Sequence, residues 1–100
     1  MSRVRIDSLA DLAHDVASSK LTVIVCGQDP VNAEAGLKLA QILPGPTNHS
    51  IVVIAEASEE LRDEASLVVE LQETEIIHTG RVTKNHTGRL GSVQFTFTKN

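Results

Sequence analysis

The sequence predicts a small α/β domain in which a helix precedes the order β-α-β-α-β-β, giving a four-stranded mixed sheet with its helices packed on one face. Three observations carry that expectation. Leu21 to Cys26 and Ile51 to Ala55 are continuous apolar runs rich in β-branched residues, as in strands buried on both faces. Each run is followed by a segment with helical spacing of its apolar residues. Near the end, Ser92 to Thr98 alternate strictly, with Val93, Phe95 and Phe97 on one side and Gln94, Thr96 and Thr98 on the other. A chain of 100 residues suits one hydrophobic core, and 41% apolar with 22% charged residues is the composition of a globular domain rather than a disordered one.

Ser8 followed by Asp11 reads as an acidic capping box opening a first helix, with Leu9, Leu12, Ala13 and Val16 on one stripe and an end near Ser18-Ser19. The strand Leu21 to Cys26 is next, broken by Gly27-Gln28-Asp29-Pro30. Here Gly27 permits a tight turn, Asp29 suits a helix N-cap and Pro30 suits the first helical position. The second helix runs from Pro30 to about Leu43 and stops at Pro44-Gly45-Pro46. After the strand Ile51 to Ala55, Ser58 caps a third helix that the spacing of Leu61, Ala65, Val68 and Val69 extends to about Leu71. Thr74 to Lys84 return to β character, Asn85-His86-Thr87-Gly88 supply turn chemistry, and Gly91 to Lys99 complete a hairpin.

Charge is distributed unevenly along this order. Ile51 to Thr79 hold eight acids, Glu56, Glu59, Glu60, Asp63, Glu64, Glu70, Glu73 and Glu75, against Arg62 alone. Gly80 to Asn100 hold Arg81, Lys84, Arg89 and Lys99 and no acid. With a net charge of −4 the chain as a whole is a poor nonspecific partner for phosphates, so any nucleic-acid role must be local to the basic hairpin.

Reactive chemistry is sparse. Cys26 is the single cysteine, which excludes an intramolecular disulfide and a multi-cysteine metal site, and its apolar setting predicts an inert core thiol. His14, His49, His78 and His86 are widely separated and form no helical metal-binding pair. Gly27-Gln28-Asp29-Pro30 resembles the water-activating loop of uracil-DNA glycosylases, with Gly36-Leu37 following. Val31-Asn32 stands where that family has Tyr-His, however, and its later His-Pro-Ser-Pro stretch is missing, so Asp29 is expected to cap a helix. The loop also lacks both glycine-rich phosphate signatures. These residues predict no catalytic group, no metal and no cofactor. Without a signal peptide or a membrane-length apolar stretch, a cytoplasmic protein is expected.

The β-α-β-α-β-β order, with a Gly-x-x-Pro turn after the first strand and a basic hairpin at the end, resembles the Alba superfamily. Val23-Ile-Val-Cys-Gly-Gln-Asp-Pro-Val31 falls where Alba proteins have their first strand, Gly-Lys-Lys-Pro-Val and first helix; Ser50 to Ala55 and Thr74 to Arg81 fall on the second and third strands. The resemblance implies an Alba-like domain over residues 21–100, residues 1–20 being a helical extension, and it implies DNA or RNA binding by a homo-oligomer or paralogue heterodimer. Residues Arg81, Lys84, Asn85, His86 and Arg89 would then contact nucleic acid. The paired lysines of the family fall on Gln28 and Asp29, and its basic Gly-Arg segment falls on Glu56-Ala57-Ser58. The alternative is a non-enzymatic protein-interaction module using Glu59, Glu60, Asp63 and Glu64 on the third helix.

Overall fold

The first apolar run forms the strand next to one edge of a mixed sheet, with a parallel neighbour on each side. In the computed structural model, which describes residues 5–6, 8–43, 50–72 and 78–96, the elements are β1 (Arg5–Ile6), α1 (Leu9–Ala17), β2 (Leu21–Val25), α2 (Pro30–Ile42), β3 (Ser50–Ile54), α3 (Glu59–Glu64), β4 (Leu67–Gln72), β5 (His78–Asn85) and β6 (Leu90–Phe95). The sheet order is β1-β6-β5-β4-β2-β3. Strand β2 pairs in parallel with both β3 and β4, β4-β5-β6 form an antiparallel meander, and β1 adds a two-residue parallel edge to β6.

Each helix starts as its capping residue dictates. Ser8 Oγ accepts from Asp11 N (3.2 Å), Asp29 Oδ1 from Val31 N (2.8 Å) and Ser58 Oγ from Leu61 N (3.1 Å), satisfying one otherwise orphaned donor apiece. Asp29→Ala is therefore expected to cost about 1 kcal/mol of stability and Asp29→Asn only a few tenths, because asparagine caps equally well. Thermal denaturation of the two variants tests this, and equal losses would remove the cap from the account.

Three expectations need correction. The third helix does not reach Leu71: it ends at Glu64, and Leu67–Gln72 is a strand inserted between β2 and β5. Val68 and Val69 are β-branched and neighbouring, and the central position buries one toward each side of the sheet, which a helix could not do. Among the described residues the sheet accordingly has six strands rather than four, and the helices are not all on one face. Helices α1 and α2 pack on one side, over a core that includes Ile6, Leu12, Val16, Ile24, Leu39, Leu67, Val69, Val82, Val93 and Phe95. On the other side Leu61 of α3 and the flanking Ala57 and Ala65 pack onto Val23, Val25 and Val68. Handedness explains the split. The step from β2 to β3 and the step from β3 back across to β4 run in opposite directions along the sheet, so crossovers of the same hand place their helices on opposite faces.

The N-terminal segment is built into this core. Ile6 is fully buried, and Arg5 and Ile6 pair with Leu90 and Gly91. On the hairpin, Val93 and Phe95 are buried while Gln94 and Thr96 are exposed, as alternation predicts; β5 begins at His78 and β6 ends at Phe95. Thr74 to Ile77, Pro44-Gly45-Pro46, His49, and Phe97 to Lys99 lie outside the described residues. No described helix is long and apolar enough to cross a membrane.

Candidate functional site

The hairpin that carries the basic residues turns through Asn85 to Leu90. Asn85 Oδ1 accepts from Thr87 N (3.1 Å), Asn85 O accepts from Gly88 N (2.9 Å), and Thr87 Oγ1 accepts from Arg89 N (3.2 Å). Gly88 supplies the left-handed residue, with φ of 83°, that lets the chain reverse. The tip so formed is tied to α1 through Asn85, Thr87 and Arg89, while His86, Thr87 and Gly88 are exposed.

What holds it there is Asp15, 1% exposed. Its Oδ2 accepts from Asn85 Nδ2 (2.7 Å), Arg89 Nε (2.9 Å) and Thr87 Oγ1 (3.3 Å), and its Oδ1 accepts from Arg89 Nη2 (2.8 Å). Arg89 Nη2 also donates to the Asp11 carbonyl (3.0 Å), and Nη1 lies 3.8 Å from Asp11 Oδ1. Burial by itself pushes the Asp15 carboxyl up, but the hydrogen bonds from Arg89, Asn85 and Thr87 and the guanidinium charge outweigh it and hold the group below the usual aspartate range. The same hydrogen bond to Asp15 raises Arg89 further above its ordinary value. Beside this cluster, His86 Nε2 lies 3.1 Å from Ser18 Oγ, and His86 N donates to Ser66 O (2.7 Å).

Lys84 is engaged differently. Its Nζ donates to the carbonyls of Arg62 and Asp63, both at 2.8 Å, at the C-terminal end of α3. A cation there satisfies orphaned carbonyls and complements the negative end of the helix. Of the five residues predicted to meet nucleic acid, Lys84, Asn85 and Arg89 are thus bound into the fold. His86 is exposed beside Ser18, and Arg81 stands exposed on the α3 side of the sheet between Glu70 of β4 and Ser92 of β6.

The acids of α3 are arranged otherwise. Glu59, Glu60, Asp63 and Glu64 are all exposed, and among the described residues none is paired with a cation; Arg62 turns instead to Glu70, with Nη2 to Oε1 at 2.9 Å. Glu59 and Glu60 occupy the first turn, where the helix dipole favours negative charge. Asp63 and Glu64 sit at the opposite end, where the dipole gives them no such support, so these four charges together are not explained by helix stability.

The other place in the fold that topology singles out is the C-terminal end of β2, where the connections to β3 and β4 diverge. There Gly27 adopts φ of 71°, Gln28 is exposed and Asp29 is bonded to the helix it caps. A carboxylate at this position opposes an anion. Among the described residues no cluster of histidine, cysteine and acidic groups could hold a metal ion.

Asp15 is the important residue that sequence reasoning missed. Its signal was available: an acid on the apolar stripe of α1, between Leu12 and Val16, has to find partners when that stripe is buried. Protein-family models, curated proteins and solved structures give no match to this chain.

Proposed function

We propose that the chain is a non-catalytic protein-interaction module that presents the acidic face of α3 to a basic protein segment. The observation that supports this reading is the contrast between the two sets of charges. Lys84 and Arg89, the cations best suited to phosphate contacts, are occupied by α3 carbonyls and by Asp15, whereas Glu59, Glu60, Asp63 and Glu64 face solvent unpaired among the described residues. Affinity for nucleic acid rises with the number of phosphates neutralised, and a hairpin with Arg81 and His86 left exposed has little to offer. An acidic face steers a basic partner and fixes its orientation.

A lysine- and arginine-rich peptide and duplex DNA, each titrated against the chain over a series of salt concentrations, separate the possibilities. The peptide is expected to bind with an affinity that falls as salt rises, and replacing Glu59, Glu60, Asp63 and Glu64 with their amides should weaken it about tenfold, a few tenths of a kcal/mol per exposed charge. Peptide binding that ignores the four substitutions, or tighter binding of DNA than of the peptide, would overturn the proposal.

A further inference from the structure

The outer edge of β3 has no partner among the described residues, and it carries none of the usual protection. Ser50-Ile-Val-Val-Ile54 contains no charge and no proline, makes a regular ladder with β2, and is five residues long. At the opposite edge of the sheet, by comparison, β1 is only two residues long. The four apolar residues of β3 are all half-buried, with Ile51 and Val53 facing the α2 side and Val52 and Ile54 facing the other. An added strand would therefore have to be apolar on both of its faces.

The direction of the backbone groups is fixed by the pairing with β2. Ser50 N donates to Lys20 O and Ile54 O accepts from Cys26 N, so Ser50, Val52 and Ile54 turn their amides and carbonyls inward. Ile51 and Val53 turn theirs outward. Two such edges placed antiparallel about a two-fold axis through Val52 bring Ile51 of one copy opposite Val53 of the other, and each pair exchanges two hydrogen bonds. Val52 then meets its own counterpart at the closer, non-hydrogen-bonded position, and Ser50 meets Ile54. Facing residues have the same parity, so apolar groups meet on both sides of the sheet without a change of register.

From this geometry we infer that a second copy of the chain occupies the β3 edge, joining the two sheets into one through an isologous β3–β3 contact. The surroundings favour the same occupant. Helix α2 lies directly over β3, since a Cβ on Gly36 would stand 3.2 Å from Val53 Cγ1. That helix also exposes Val31, Leu37 and Ile42 at 59%, 56% and 53%, with Val31 and Ile42 on one stripe and Leu37 on another. The α3 acids belong to the crossover packed on β2 and β4, so the joined edges themselves carry no charge. A closed two-fold contact also uses up the β3 edge of each copy and leaves only the two-residue β1 edges open.

Sedimentation velocity of the full chain from about 1 to 100 μM tests the inference, a range chosen for an interface of micromolar strength. The expected result is a shift from the 10.8 kDa species to one of twice that mass. Two copies of net charge −4 repel one another, so the dimer should tighten as salt rises, the opposite of the dependence expected for a basic partner on α3. Val52→Lys sets two ammonium groups against each other at the axis and should raise the dissociation constant at least about tenfold. Ser50→Lys, at an exposed position, should weaken the dimer as well and serves as the decisive variant if Val52→Lys unfolds, which circular dichroism reports. A 10.8 kDa species throughout the range, or a dimer indifferent to a folded edge variant, would overturn the assignment.

Discussion

Asp15→Ala is expected to lower the stability of the fold by about 3 kcal/mol, enough to move the thermal midpoint by roughly 10–20 °C. The carboxylate is buried, and it accepts from Asn85, Thr87 and twice from Arg89. Its removal strands the hairpin tip's donors against α1. Acid titration gives the same expectation a second measurement. The folded-state carboxyl lies below its unfolded value, so its contribution is present in full above the ordinary aspartate value of about 3.9 and is lost as pH falls through the depressed folded value. The gap in stability between parent and Asp15→Ala should thus narrow in acid. A gap that stays constant, or a loss under about 0.5 kcal/mol at neutral pH, would mean that hydrophobic packing alone holds the hairpin to α1.

Gly91→Ala should be similarly damaging for a different reason. A Cβ at this position would fall onto the Ile6 carbonyl oxygen and crowd the Ile6 nitrogen at 3.0 Å, and both are backbone atoms that cannot rotate away. To accept the methyl group β1 must lift from β6, exposing Ile6, which is otherwise completely buried. Lost burial and strain together are expected to cost about 2–4 kcal/mol. Hydrogen exchange should show loss of protection confined to Arg5, Ile6 and their partners Leu90 and Gly91, with the centre of the sheet retained. Full protection of Ile6 in the variant would contradict this account.

The local chemistry of the chain was readable residue by residue. Ser8, Asp29 and Ser58 cap the helices that their side chains announced, Cys26 is buried, and the alternation through Val93 and Phe95 gave the inward face of the last strand. Element type failed where a short apolar run fitted two periods. Leu61, Ala65, Val68 and Val69 match a helical spacing, but only the presence of β2 on one side and β5 on the other makes Leu67–Gln72 a strand, and that is tertiary information. The strand Arg5–Ile6 was invisible for the same reason, since two residues carry no period. The basic hairpin misled in another way. A count of charges treats Arg89 and Lys84 as available, yet their partners are Asp15, 74 positions away in sequence, and the carbonyls of Arg62 and Asp63. Nothing in the spacing of the residues encodes those meetings.

The pairing of Arg5 with Leu90 also sets an order of events during synthesis. The strand Arg5–Ile6 leaves the ribosome before every other described element, but the strand it joins follows all of them. At roughly 5–20 residues per second it waits on the order of ten seconds for a place to dock. Through that interval Ile6, Leu12 and Val16 have no completed hairpin to cover them, although β2, α2 and β3 form a contiguous stretch of chain able to associate earlier. The finished sheet is consequently sealed by its oldest segment, and a nascent chain interrupted before Leu90 would carry an apolar helix with nowhere to settle.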